Sequence, residues 1–169
     1  MQIRDLLLGE FEAEAKNTRR TMERVPDHLF DFKPHEKSNT MGWLANHLAD
    51  LPFWLTMTLE RDELDLAPTD GQSFVPKRES NIAAVLERFD RNVSDAQKSL
   101  SSTENDHLMQ KWALKKAGQT LIELPRYTVI RNFSLNHMVH HRAQLGLYLR
   151  LNNLPVPAIY GPSADEGTL

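Results

Sequence analysis

The chain has 169 residues, 40% hydrophobic and 25% charged, with a formal net charge of −3; this composition suits one folded domain and excludes a disordered chain or a strongly basic nucleic-acid binder. It contains no cysteine, which rules out a disulfide framework, a thiolate zinc site and a protein thiol nucleophile, so any thiol chemistry must draw on an external thiol. The opening MQIRDLLLGEFEAEAK mixes acidic with apolar residues and no run approaches a membrane span, so a soluble, cytoplasmic protein with neither a membrane nor a nucleic-acid partner is expected.

Ile3, Leu6, Leu7, Phe11, Ala15, Thr18, Met22 and Val25 recur at three- and four-residue steps, which predicts a first helix ending before Pro26. Residues 26–39 predict a loop. TMGWLANHLADLPFWLTMTLER (40–61) then resumes helical spacing behind the possible caps Ser38, Asn39 and Thr40, with a distortion expected at Pro52. The segment 62–80, rich in Pro, Gly and Asp, suits a crossover between helices not joined by a tight turn. Ser80 precedes a third helix whose inner stripe is Ile82, Val85, Leu86, Phe89, Val93 and Ala96, and SSTEND ends it. Within 108–124 two loosely alternating runs flank Ala117-Gly118, which favours a small hairpin or irregular excursion. A fourth long helix is expected from Pro125 to Asn152-Asn153, followed by an irregular, partly mobile tail. Four long helices, one crossover and no internal repeat predict an all-α four-helix bundle, a single domain over 1–169 that binds ligands in its core.

NHMVHHRAQLGLYLR (136–150) sets three histidines within five positions. At about 100° per residue, Ile130, Phe133, His141, Gln144 and Tyr148 fall within roughly 40° of His137, so His137 and His141 lie on the apolar stripe. His140 is turned roughly 60° the other way and flanks the pair. In the second helix Trp43, Leu51 and Trp54 fall within roughly 40° of His47, which places a third imidazole on a buried face. His28, His35 and His107 sit in polar connections and are expected near solvent. One inward histidine is usually a core residue bonded to a carbonyl or carboxylate. Three without partners would cost about 1–3 kcal/mol for each unsatisfied group, which a shared ion removes. An i,i+4 pair plus a ligand from a facing helix fills three corners of a tetrahedron and leaves the fourth open. Met138 stands where the His-Glu-x-x-His pattern has its glutamate base, which argues against a peptidase.

GWLANHLADLP, NHMVHHRAQLGLYLR and the following PVPAIYGPSADE resemble, over nearly the whole chain, the DinB/YfiT-like superfamily. The resemblance is carried by His47 and by the late run of His137, His140, His141, Arg142 and Gln144, with Ala143 where many relatives have Gly. It implies a bundle in up-down-down-up order, often a homodimer, with one divalent zinc, nickel or iron ion per chain. Carried onto this chain, the ligands it implies are His47, His137 and His141, the trio that helical geometry also selects. For some relatives it further implies transfer or isomerisation reactions that use bacillithiol, mycothiol or glutathione.

The expected function is a metal-dependent enzyme that transfers a low-molecular-weight thiol to a small electrophilic substrate. The alternatives are metal-assisted hydrolysis and a non-catalytic stress-response or binding module with a structural metal. Asp50, roughly 60° from His47, is a weak candidate for orienting an imidazole or taking a proton, and otherwise a solvated edge residue. Gln144 and Tyr148 continue the ligand face, as contacts to substrate or imidazole or as interior packing with a satisfied polar tip. Arg142 points away from the trio and is expected in a structural salt bridge.

Overall fold

The computed structural model describes residues 2–69 and 71–167. Three helices of 20 residues each, α1 (Ile3–Met22), α2 (Met41–Glu60) and α3 (Ile82–Ser101), are followed by a short α4 (Asn105–Met109). A hairpin of β2 (Lys111–Lys116) and β3 (Gln119–Pro125) then leads into the last helical stretch. That stretch consists of α5 (Arg126–Val129), a π-helical segment (Ile130–Leu135) and α6 (Asn136–Leu151).

The helices form where apolar spacing and caps coincide. On α1 the buried Leu7, Phe11, Ala15, Thr18 and Met22 follow the expected stripe, while Leu6 is left 56% exposed. Thr40 caps α2 by accepting the Trp43 N–H, and α2 continues through Pro52. Asn81, not Ser80, caps α3, its side chain accepting the Ala84 N–H at 2.9 Å; an Asn side chain there satisfies one of the free donors of the first turn. Gly42 opens α2 against the preceding loop: its N–H donates to the Phe30 carbonyl, and an added Cβ would lie 2.8 Å from the Phe30 ring.

Cross-helix contacts give the directions. Arg4 reaches Thr103 and Arg19 reaches Asp90, so α1 and α3 are antiparallel. Arg88 meets Asn46 and Asp50 while Ser99 meets Glu60, so α2 and α3 are parallel. The last helical stretch runs against α2, as His137 faces His47 and Arg126 faces Thr58. It runs with α1, where Glu10 pairs with Arg131 and Thr18 with Arg142. The order is up, down, down, up, around a core that includes Phe11, Leu44, Leu48, Phe89, Leu100 and Leu145.

The all-α expectation is corrected by a three-stranded sheet. Inside the expected crossover, β1 (Glu63–Asp65) pairs in parallel with β2, which pairs antiparallel with β3. The hairpin turns at Ala117 (φ 51°) and Gly118 (φ 77°), where two positive φ values match the twist of two-residue hairpin loops. The Asp65 carboxylate accepts N–H bonds from both turn residues. Leu64, Trp112 and Val129 form a second, small core beneath the sheet. Arg126, 1% exposed, donates to the carbonyls of Thr58, Lys111 and Arg61 and to Asp62. It fastens the hairpin to the end of α2. Three residues are too few to show a period, which is why β1 escaped the sequence reading. The tail is irregular as expected, yet Arg20 and Arg24 hold Glu166, and Tyr160 donates to Glu14.

Candidate metal centre

α2 and the last helical stretch bring His47, His137 and His141 together, with one ligand-capable nitrogen of each within 4.8 Å of the others. The Nε2 atom of His137 lies 3.3 Å from that of His47 and 2.7 Å from that of His141. Four ligands at about 2.0–2.1 Å from a tetrahedral ion are about 3.3 Å apart, so the first distance matches that edge and the second is shorter. Gln144 Oε1 accepts from His141 Nδ1 at 2.8 Å, which puts the proton on Nδ1 and turns the Nε2 lone pair toward the cluster. Trp43 stacks on His47 with ring centroids 4.7 Å apart, and the Arg78 guanidinium lies over the other ring system of that stack, 5.7 Å from the Trp43 centroid.

The imidazoles are held neutral. Burial, reinforced by His141, His137 and Arg78, pushes His47 down to about 3. Burial also lowers His137 and His141, the latter against an opposing contribution from its bond to Gln144. Three neutral nitrogen donors suit zinc, nickel, copper or iron, and the donor set therefore fits a divalent ion.

The other expectations divide. His140 is exposed and touches the cluster only edge-on through His141. His28 and His35 are exposed, but His107 is half-buried, its Nε2 bonded to the Leu59 carbonyl at 2.8 Å. Asp50 is neither solvated nor bonded to an imidazole: it is buried, paired with Arg88 at 2.7 Å and Arg78 at 3.2 Å. Its pKa is raised by burial against the pull of both arginines. Tyr148 follows the packing reading, its hydroxyl donating to the Asn39 carbonyl. Arg142 forms the expected buried salt bridge, with Glu14 at 2.6 Å.

A cavity of about 130 Å³ opens beside His47 and His137. Its walls come from α2 (Leu51, Trp54, Thr58), the hairpin (Trp112, Leu114, Ile122) and the last helical stretch (Val129, Phe133, Ser134). The hairpin residues were not among the sequence candidates. Their signal was the alternation in WALKK, which places Trp112 and Leu114 on one face opposite Leu124 and Ile122.

A model of the DinB family matches residues 1–168. The chain is 26% identical over 166 residues to the uncharacterized protein YrdA of Bacillus subtilis, covering 98% of this chain and 92% of that protein. Among solved structures, a DinB-like protein from Bacillus cereus superposes with a TM-score of 0.69 at 16% identity, covering 91% of this chain and 95% of that one. The DinB-like YjoA of Bacillus subtilis gives 0.66 at 13% identity, covering 93% and 99%. At those identities the two structures establish a shared fold.

Proposed function

The chain belongs to the DinB family, and from that premise we propose that it is a metal-dependent enzyme transferring a low-molecular-weight thiol to a small electrophilic substrate. The observation that carries this reading is the convergence of the three Nε2 atoms of His47, His137 and His141 beside an apolar cavity. These residues would hold one divalent ion, zinc or nickel first and iron as a further candidate. Held by these neutral ligands, such an ion would keep its full charge and would supply the acidification of a thiol brought to it. The thiol is external because the chain has no cysteine. Its sulfur forms the new C–S bond as the leaving group departs with its electron pair, and its proton passes to solvent.

The chain's own residues place the reactants. Gln144 fixes the His141 tautomer, Trp43 holds the His47 ring plane, and the cavity walls position the electrophile within reach of the cluster. A homodimer belongs to the same reading, supported by the exposed Leu6, Met109 and Tyr127 around one surface hollow. The test is metal stoichiometry on untagged protein, chelated and refilled with zinc or nickel, for wild type and His141→Ala, followed by a thiol-dependence assay. About one ion per chain, lost in the variant, with electrophile consumption that requires added thiol, supports the reading. No uptake in either form defeats it, and turnover without thiol transfers the case to metal-assisted hydrolysis.

A further inference from the structure

The cavity beside the histidines has a chemistry of its own. Of its two hydroxyl-bearing wall residues, Thr58 donates to the Trp54 carbonyl at 2.8 Å and Ser134 to the Leu51 carbonyl at 3.1 Å. Both hydroxyl protons are thus spent on backbone, which leaves neither group free to donate to a ligand. Among the described residues no acidic or basic side chain other than the imidazoles of His47 and His137 lines it. The indole N–H of Trp112, 2% exposed, is buried without a partner among the described residues, and it is a neutral donor.

In the metal-free chain an anion or ammonium group entering such a space loses its water and finds no oppositely charged side chain in the walls, which is expensive. An apolar molecule meets no such cost and gains by leaving water. The volume is near that of the engineered cavity of about 150 Å³ known to hold benzene. Trp54, Trp112 and Phe133 supply ring surfaces suited to offset or edge-on contact with another ring.

We propose that this cavity seats the electrophilic substrate, and that the substrate is an uncharged, largely hydrocarbon molecule of about one ring in size. The assignment rests on the metal reading only for what happens to the molecule once seated. Any charged part of a thiol co-substrate stays outside this cavity and approaches the cluster from another side.

The test uses toluene, benzoate and benzylammonium as probes on the full chain after chelation, with binding read by calorimetry and by chemical shifts of the tryptophan indoles at neutral pH. Toluene is expected to bind at least about tenfold more tightly than either charged ring. Ile122→Trp, which fills the space from a half-buried strand position, is expected to weaken toluene by about tenfold or more. Phe133→Ala, which widens it from a residue 36% exposed, is expected to admit naphthalene, which wild type excludes. Comparable binding of benzoate or benzylammonium, or toluene binding indifferent to both variants, overturns the proposal. Because the measurement is made without metal, a chain that discriminates the probes but takes up no zinc keeps the cavity assignment while the metal reading falls.

Discussion

At the scale of single residues, the histidine cluster depends on groups that would not touch an ion held there. Gln144 does for His141 what carboxylates and carbonyls do for ligating imidazoles elsewhere, setting tautomer and ring orientation. Gln144→Leu is expected to lower zinc affinity about 10- to 100-fold with little change in the melting temperature of the chelated protein; competition against a chromophoric chelator measures the first and calorimetry the second. Burial of His47 has a second consequence. With its pKa near 3 when folded and 6.5 otherwise, the unfolded chain binds more protons than the folded one across that interval, so stability falls as pH is lowered through it. The chelated protein is expected to lose melting temperature between about pH 6.5 and 5, a window above most carboxylate titration. His47→Asn is expected to reduce that slope, the remainder coming from His137 and His141, whose burial acts in the same direction; a slope unchanged by the substitution would contradict the assignment.

At the scale of elements, the hairpin is attached by a few buried groups whose loss should be felt locally and globally. Arg126→Met leaves the carbonyls of Thr58 and Lys111 without their donor, and each unsatisfied buried group costs about 1–3 kcal/mol. A destabilisation of about 3 kcal/mol in urea titration is expected, with faster amide exchange across β2 and β3. The π-helical segment Ile130–Leu135 closely precedes His137 and His141 and contributes Phe133 and Ser134 to the cavity. Such segments are frequent at functional sites. Sequence periodicity treats this stretch as plain α-helix because a single wider turn shifts the stripe too little to be noticed against neighbouring apolar residues.

At the scale of the whole molecule, an ion held by His47, His137 and His141 would join α2 to the last helical stretch and so bind the folded chain and not the unfolded one. Zinc at about a hundred times its Kd is expected to stabilise by about 2.7 kcal/mol, roughly 5–10 °C in melting temperature for a chain of this size. His137→Ala is expected to abolish that shift, and an equal shift in the variant would place the binding elsewhere. The helical stretches resist such changes through a core spread along their length, which separates loss of the ion from loss of the fold.

The sequence alone determined the helical stripes, the Ala117-Gly118 hairpin turn and the inward face shared by His47, His137 and His141, because periodicity, turn chemistry and i,i+4 spacing are local properties of a chain. It also carried the family resemblance, which the match over residues 1–168 bears out. Tertiary structure decided the rest. The pairing of β1 with β2, the capture of Asp50 by Arg88 and Arg78, the bond from His107 to Leu59 and the cavity behind the histidines all join segments far apart in sequence. Their partners are chosen by packing, and no local pattern encodes that choice.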